Sequence, residues 1–183
     1  GAVRGAFHPL QQFSDVEHGS KSFRGITFGI ETDEGLREFL VEMARAFGGN
    51  PVFLSPDDKP LYHLTGVMMG NLLSTFVASA AGVWESLGMT RGQGLDALLP
   101  MMRQVAANLE SMGLPKAVSG PYTRGDIGTV GKHLAALEAT GSDVLPLYRE
   151  LALLSLPLAV EKGALPQKRS EEIKALLKRS IIS

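Results

Sequence analysis

The chain is most constrained by a run of 25 residues, Pro60 to Trp84, that contains no Asp, Glu, Lys or Arg. Its content of Leu, Met, Ala and Val favours a helix, and at 1.5 Å per residue such a helix is roughly 40 Å long. A helix of that length without a charged face needs apolar neighbours on nearly every side. We therefore expect the other helices of the chain, together with a second copy of it, to surround this helix.

Small residues recur at every fourth position of this run and form a ridge along one flank of the predicted helix: Gly66, Gly70, Ser74, Ala78 and Gly82. Such a ridge lets another backbone or a flat ligand approach closely, and it is best known from membrane helices. About 20 apolar residues are enough to cross a bilayer. Because the run also contains polar side chains and the rest of the chain has an ordinary soluble composition, we prefer a buried helix to a membrane span.

Composition excludes several classes of protein. With 44% hydrophobic and 20% charged residues, the chain has enough apolar side chains to build a core. A net charge of −1 without a basic cluster argues against nucleic-acid binding. The absence of cysteine excludes disulfides and thiolate chemistry. No signal peptide is visible, so a cytoplasmic location is expected. The four histidines form no H-x-H or H-x-x-x-H pair, and no metal site is therefore predicted.

The patterns along the chain divide it into two parts. Residues 1–55 predict a strand at residues 3–7 that ends at His8-Pro9, a second strand at 26–31, a helix at 36–47 and a third strand at 51–54. Strand, helix and strand in this order form a crossover unit, and so few strands look like the tail of a larger sheet. Residues 56–183 show only helical patterns. The predicted fold class is therefore mainly α, a helical domain built on one long central helix and preceded by a small α/β segment.

Two polar residues on the predicted long helix could carry chemistry. At 100° per residue His63 shares a face with Gly70 and Ser74, and Asn71 lies about 80° round the helix. An ionisable group and an amide above a floor of glycines could hold and protonate a small polar substrate. The alternative is that both side chains satisfy neighbouring helix ends in the core, and spacing alone favours this alternative.

Two glycine-containing segments have structural explanations. In residues 120–126, Asp126 either caps the helix that follows or pairs with Arg124, and a structural turn is favoured. Gly92-x-Gly94-x-x-Ala97 matches G-x-G-x-x-A formally. A dinucleotide-binding turn follows a strand, whereas a helix precedes this segment, so we interpret it as a loop between two helices.

Three motifs, taken together, are familiar: His8-Pro9-Leu10-Gln11-x-Phe13; Leu61-Tyr62-His63 with Asn71; and Ser119-Gly120-Pro121-x-x-Arg124-Gly125-Asp126-x-x-Thr129-Val130-x-x-His133-Leu134. They resemble a family of bacterial proteins that pair an N-terminal Rossmann-like domain with a helical domain of unknown function. That family is similar, more distantly, to 6-phosphogluconate dehydrogenase in its C-terminal domain, to hydroxyisobutyrate dehydrogenase and to pyrroline-5-carboxylate reductase.

The resemblance implies an NAD(P)-dependent oxidoreductase, a reductase or dehydrogenase of a small polar substrate. The helical domain would form a homodimer and close the site. Residues 1–55 would be the last strands and crossover helix of the Rossmann-like sheet. Because the Gly-rich phosphate-binding fingerprint of that sheet is absent, we expect the nucleotide-binding part to be missing. The alternative is a non-catalytic helical dimerisation or regulatory module that has lost cofactor binding.

The resemblance also implies roles for individual residues. Relatives in the wider group place a Lys and an Asn four residues apart on the long helix; no Lys occupies the helix interior here, so His63 and Asn71 become the catalytic candidates by position. The expected substrate-binding residues are Gly70, Ser74, Arg124 and Asp126. The expected positions on the cofactor side, for NADP or NAD, are His8, Pro9 and Gln11.

Overall fold

The structure is a computed structural model that describes residues 2–13 and 23–179. The chain divides into two compact units, Gly1–Phe76 and Val77–Ser183, and each is described separately. This division lies inside the long helix, farther along the chain than the predicted domain boundary between residues 55 and 56. That boundary, as a statement about domains, stays a prediction. Residues 14–22, which include His18, lie outside the described residues.

A three-stranded sheet forms the start of the first unit. Strand β1 (Gly5–Pro9) is antiparallel to β2 (Thr27–Thr32), and β2 is parallel to β3 (Asn50–Phe53), in the order β1-β2-β3. A 3₁₀ turn (Glu34–Leu36) and helix α1 (Arg37–Ala46) connect β2 to β3. The predicted strand–helix–strand crossover is therefore confirmed.

The predicted end of the first strand at His8-Pro9 is wrong, because both residues belong to β1. His8 is opposite Gly29 in the register of β1 and β2, and Leu10 N–H donates to the Thr27 carbonyl. Backbone hydrogen-bonding groups of successive residues point to opposite sides of a strand. The nitrogen of Pro9 therefore points away from β2, towards the open edge, where its missing N–H costs nothing.

The core of the first unit is aromatic and aliphatic. Phe28 and Ile30 of β2 are buried, and Leu40 and Ala44 of α1 are buried as well. The Phe7 ring stacks on Phe28 at a centroid distance of 4.6 Å. The period-two pattern of β2 therefore fixes which residues enter this core.

The long helix runs from Lys59 to Leu87 and consists of α2 (Lys59–Val67), a π-helical turn (Met68–Leu72), α3 (Leu73–Gly82) and a 3₁₀ turn (Val83–Leu87). By length and composition this helix could cross a bilayer. Among its residues only Ala81 is buried. The covering by the other helices of the chain that the sequence predicts is therefore not seen among the described residues, and covering by a second copy stays a prediction.

The exposed side chains of the helix include an apolar stripe that we define by six residues, 43–69% exposed: Leu61, Leu64, Met68, Met69, Leu72 and Phe76. Their spacing of three, four and seven residues places them along one face of the helix. All six belong to the first unit.

The second unit is helical and has its own core. Its helices are α4 (Arg91–Met112), α5 (Ile127–Ala139), α6 (Val144–Glu161) and α7 (Gln167–Lys178), so the predicted mainly α fold class is confirmed. Residues 180–183 lie outside the described part. The core cluster comes from α5, α6, α7 and the turn before α7: Val130, Leu134, Ala152, Leu156, Ala159, Leu165, Ile173 and Leu177.

Helix α4 begins with a capping box, in which Thr90 and Gln93 satisfy each other's backbone N–H groups. The segment from Gly92 to Ala97, interpreted as a loop between helices, lies within the first turns of α4. A Cβ atom on Gly94 would lie 2.6 Å from the Ala81 carbonyl oxygen. This glycine therefore serves close packing and not phosphate binding.

Candidate functional site

A cleft of about 730 Å³ lies in the first unit, between the segment that follows β1 and one side of the long helix. The end of β1 and the segment after it contribute six of the lining residues, and the helix contributes the other seven: His8, Pro9, Leu10, Gln11, Gln12 and Phe13; His63, Thr65, Gly66, Val67, Met69, Gly70 and Asn71. Two predicted motifs that are about fifty residues apart in sequence therefore meet at one site.

Tyr62 connects the sheet to the beginning of the long helix. Its hydroxyl accepts a hydrogen bond from Gly29 N–H at 3.0 Å and donates one to the His8 carbonyl oxygen at 3.1 Å. Burial raises the pKa of Tyr62, and the bond from Gly29 opposes this only in part. The phenol therefore stays protonated at neutral pH and remains a donor to the backbone of His8.

Gly29 is required for this connection. A Cβ atom on Gly29 would lie 2.7 Å from Leu54 Cδ1 and 2.8 Å from Tyr62 Cε1. Only glycine leaves room for the Tyr62 ring to lie against the sheet at this position. The backbone of His8 is thereby held at a fixed place relative to the helix that carries His63.

The two histidines of the cleft are neighbours. The imidazole rings of His8 and His63 have centroids 5.7 Å apart and planes at 87°, and the Tyr62 ring lies edge-on to His8 at the same distance. His8, His63 and Asn71 are all exposed. The interpretation that His63 and Asn71 satisfy helix ends in the core is therefore wrong, because neither side chain lies in a core.

The π-helical turn places Gly70 and Asn71 at the cleft. A π turn contains more residues than an α turn, so positions after it are rotated from those that a 100° spacing predicts. Ser74, predicted to share the face of His63, is not among the lining residues. The Ser74 hydroxyl instead donates to the Gly70 carbonyl at 2.9 Å, and the Thr75 hydroxyl donates to the Asn71 carbonyl at 3.1 Å. These two bonds use carbonyl groups beside the irregular turn.

Part of the small-residue ridge is covered by the chain itself. A Cβ atom on Gly66 would lie 3.1 Å from Leu10 Cδ1, and one on Gly70 would lie 3.5 Å from the Gln12 side-chain oxygen. The segment after β1 therefore approaches the helix closely at the first two glycines. The sequence indicated a close approach here but did not identify its partner.

Arg124 and Asp126 belong to the second unit and do not line this cleft. The Asp126 carboxylate accepts hydrogen bonds from the Thr129 N–H at 2.9 Å and the Thr129 hydroxyl at 2.7 Å. These bonds, with smaller contributions from Arg124 and Lys132, hold the pKa of Asp126 below its usual value. Of the two alternatives for Asp126, the structure shows the helix cap.

The rest of that motif builds the helical unit. Val130 and Leu134 are core residues, and His133 Nδ1 lies 3.0 Å from the Tyr148 hydroxyl. Gly125 has φ +64°, and a Cβ atom there would lie 2.7 Å from Arg169 Cγ. Substrate binding by Arg124 and Asp126 stays a prediction.

The cleft lining has an unusual charge composition. Among the described residues the lining contains no Asp, Glu, Lys or Arg, so the two imidazoles are its ionisable side chains in that part of the chain. Among the described residues no cluster of three or more His, Cys, Asp or Glu side chains could hold a metal ion. The sequence did not identify Leu10, Gln12, Thr65, Gly66 or Met69 as part of a site, although all five adjoin residues in the predicted motifs.

The family model of a domain of unknown function, DUF2520, matches residues 26–154, well over half of the chain. The chain belongs to the DUF2520 family. His63, Asn71 and the motif at 119–134 lie inside the matched range, and His8 to Phe13 lie before it. This bears out the resemblance to a family with a domain of unknown function.

Two crystal structures resemble this DUF2520 chain in fold. Protein TM1727 from Thermotoga maritima has a TM-score of 0.75 at 24% identity, over 87% of this chain and 63% of its own. BF3122 from Bacteroides fragilis, described as a "putative NADP oxidoreductase", has a TM-score of 0.66 at 22% identity, over 85% of this chain and 58% of its own. The chain thus spans less than two thirds of either. No curated protein is significantly similar in sequence.

Proposed function

We propose that this chain is the substrate-binding and dimerisation part of a cytoplasmic NAD(P)-dependent oxidoreductase, a reductase or dehydrogenase of a small polar substrate that binds in the His8–His63 cleft. The observation that carries the proposal is the convergence at one cleft of six predicted site residues from two distant segments: His8, Pro9, Gln11, His63, Gly70 and Asn71. A π-helical turn lies within the cleft wall, and such turns occur frequently at functional sites.

The described residues do not fit the phosphates of a dinucleotide. Dinucleotide sites bind the pyrophosphate at a helix N-terminus that follows a strand and a Gly-rich turn. Here Asp33 and Glu34 stand between β2 and α1, and their carboxylates would repel a phosphate. In this proposal the nucleotide is therefore held by the part of the longer relatives that this chain does not span. The description of the Bacteroides fragilis protein supports NADP.

The residues of the cleft suit the proton half of such a reaction. Nicotinamide cofactors exchange a hydride with a substrate carbon, and the accompanying proton is given or taken by a side chain or water. Imidazole changes its protonation near neutral pH, so His63 is assigned the proton transfer. The Asn71 amide, on the same side of the helix, orients the polar group of the substrate.

The test uses a protein that joins this chain to the part that its longer relatives have and this chain does not span. This protein is titrated with NADPH and with NADH, and nicotinamide fluorescence measures binding. We expect saturable binding of one cofactor. The variant His63→Gln is expected to keep cofactor binding but to lower kcat by about 10²–10⁴-fold, the usual contribution of a general acid–base group. Absence of binding of either nucleotide would contradict the proposal.

The apolar stripe supports a homodimer as part of the same proposal. Six large side chains along one helix face are 43–69% exposed, and monomeric proteins rarely expose contiguous apolar patches of this kind. A second copy fits because a two-fold pair presents the same apolar face to itself. Sedimentation velocity is expected to show a dimer in detergent-free buffer. A stable monomer would contradict the dimer, as would a chain that associates with lipid vesicles instead.

A non-catalytic dimerisation or regulatory module is the second candidate, because the described residues contain no phosphate cradle while the apolar stripe is present. His63→Ala and Asn71→Ala distinguish the two functions. Both side chains are exposed, so their removal is expected to change the free energy of unfolding by only about 0.5 kcal/mol. Loss of turnover at an unchanged Tm supports the enzyme. Absence of turnover in the unmodified protein, with the dimer retained, supports the module.

A further inference from the structure

The cleft combines an apolar wall with two imidazoles as its ionisable side chains. Leu10, Phe13, Val67 and Met69 supply the apolar surface, while Gln12 and Asn71 supply amides. A carboxylate in the wall would favour a cationic ligand, and the described lining contains none. The one charge that this lining can acquire is positive, by protonation of His8 or His63.

We propose that His8 and His63 together bind the anionic group of the substrate, so that the cleft takes small organic anions, carboxylates or phosphate esters with a short apolar body. The inference rests on the proposed function only in treating the cleft as the substrate site. It adds the class of substrate, the residues that recognise the substrate and the pH range in which recognition occurs.

The geometry of the ring pair suits one shared acceptor. A ring N–H that donates to an oxygen at ordinary hydrogen-bond length places that oxygen ~4 Å from the ring centroid. Two centroids 5.7 Å apart allow an acceptor group at that distance from both. Two neighbouring imidazolium ions repel each other, and an anion between them offsets this repulsion. Binding of the anion and protonation of the two rings therefore favour each other.

The charged and titratable groups on the elements around the pair do not oppose an anion. Lys59 is one helical turn before His63, and its ammonium group forms an ion pair with Glu31 of β2. That carboxylate is thus already compensated. Tyr62, which packs against His8, stays a neutral phenol because burial raises its pKa. The segment from Pro9 to Phe13 contributes no charged side chain.

The position of His8 is fixed independently of any ligand. Its carbonyl oxygen accepts the Tyr62 hydroxyl, which is also bonded to Gly29. His63 is the next residue after Tyr62 on the helix. The two imidazoles are therefore carried by backbone positions that Tyr62 joins, and the site is formed before the anion arrives.

The pH dependence follows from the sign of the charge. Imidazole has an ordinary pKa near 6.5, and only its protonated form is a cation. Affinity for an anion is expected to rise as the pH falls through this range. It is expected to decrease by about tenfold or more between pH 6 and pH 8. A site built on Lys or Arg would show no such loss below pH 8.

The experiment is an NMR titration of the imidazole C–H signals of the protein at pH 6 and pH 8. The probes are propionate, inorganic phosphate and propionamide, the neutral analogue of propionate. His8→Gln and His63→Gln assign the signals, and His133, in the second unit, serves as the internal reference. The amide spectrum of each variant shows that it remains folded. No nicotinamide is present, so failure of cofactor binding and failure of this inference are distinguishable.

We expect saturable shifts of the His8 and His63 signals with propionate, phosphate or both at pH 6, and at least tenfold weaker binding in either variant. Propionate alone identifies a carboxylate substrate, and phosphate alone a phosphate ester. The inference is overturned by equal shifts of His133, by equal binding of propionamide, by unchanged affinity at pH 8, or by no saturable shift of either cleft histidine with both anions.

Discussion

The bundle formed by α5, α6 and α7 buries its apolar residues within the chain, whereas the apolar stripe of the long helix does not. Ile173 and Val130 are completely inaccessible to solvent, while Met69 of the stripe is 69% exposed. Both regions contribute many large apolar residues. An apolar sequence therefore predicts that a surface is covered. Only the structure shows whether the same chain covers it.

The consequence concerns the origin of stability in each region. Buried side chains of the bundle stabilise it through transfer from water and close packing. The apolar stripe contributes little to the free energy of unfolding of a single chain, because its side chains stay in water. Burial of these side chains would stabilise an association with another molecule instead. Substitutions in the bundle should therefore act on unfolding, and substitutions in the stripe on assembly.

The largest effect is expected in the bundle core. Leu156→Ala removes a side chain that is 3% exposed and should lower the free energy of unfolding by about 2–5 kcal/mol, since it leaves a cavity among packed neighbours. Urea denaturation followed by circular dichroism measures the change. Leu154→Ala, on the same helix at 69% exposure, is the matched control and should change stability by only about 0.5 kcal/mol. Equal losses for the two variants would show that α6 is not packed as described.

The stripe gives the next largest effect. Leu61→Glu combined with Leu72→Glu places two charges on the exposed apolar face, where a second copy is proposed to pack. The dissociation constant of the dimer should rise about 30-fold or more, equivalent to about 2 kcal/mol at an interface centre. Sedimentation velocity over a range of concentrations measures it, and the unfolding of the monomer should change little.

Leu154→Glu provides the control for this double substitution, because Leu154 is equally exposed but lies outside the stripe. It is expected to leave the dimer intact. If the double variant has the same dissociation constant as the unmodified protein, the stripe is not the interface, and the comparison with the bundle loses its explanation.

The sequence predicts local structure well where local interactions determine it. The alternation of Ile26, Phe28 and Ile30 predicts β2, and Thr90 and Gln93 are residue types that favour the capping box observed at the start of α4. The crossover from β2 to β3 also follows from pattern alone. The covering of the long helix is not predictable in this way, because its apolar residues would look the same whether they contact this chain, a second copy or lipid.

The candidate site was predictable in part. His8, His63 and Asn71 were identified from motifs, and the structure brings all three to one cleft. Ser74 was misplaced because a constant 100° per residue does not anticipate the π turn. Arg124 was grouped with these residues through the family resemblance, although the chain places it in the second unit. The spacing of residues in the sequence does not predict which distant segments meet in the fold.

A smaller effect is expected at the tyrosine that joins sheet and helix. Tyr62→Phe removes the hydroxyl that accepts a hydrogen bond from Gly29 N–H and donates one to the His8 carbonyl. The free energy of unfolding should fall by about 1–2 kcal/mol, because these partly buried backbone groups lose a partner. Tyr122→Phe is the control in the helical unit, since the buried Tyr122 hydroxyl makes no hydrogen bond of good geometry among the described residues, although it interacts with the neighbouring Tyr148 hydroxyl. That control should be nearly neutral. A larger loss for Tyr122→Phe than for Tyr62→Phe, by urea denaturation, would refute the assigned role of Tyr62.

The smallest effect concerns the cap at the start of the bundle and depends on pH. Hydrogen bonds from Thr129 lower the pKa of Asp126 in the folded state. The stability that these bonds contribute is therefore fully present above the ordinary carboxylate pKa near 3.9 and is lost as the pH falls through the lowered value. Asp126→Asn should be slightly less stable than the unmodified protein at pH 7, and the difference should shrink as the pH falls below the ordinary carboxylate range. Asp143 precedes α6 without a side-chain cap bond, so Asp143→Asn should show no such dependence. Thermal unfolding between pH 2.5 and 7 compares the three proteins, and a constant difference for Asp126→Asn across this range would mean that its charge contributes nothing to the cap.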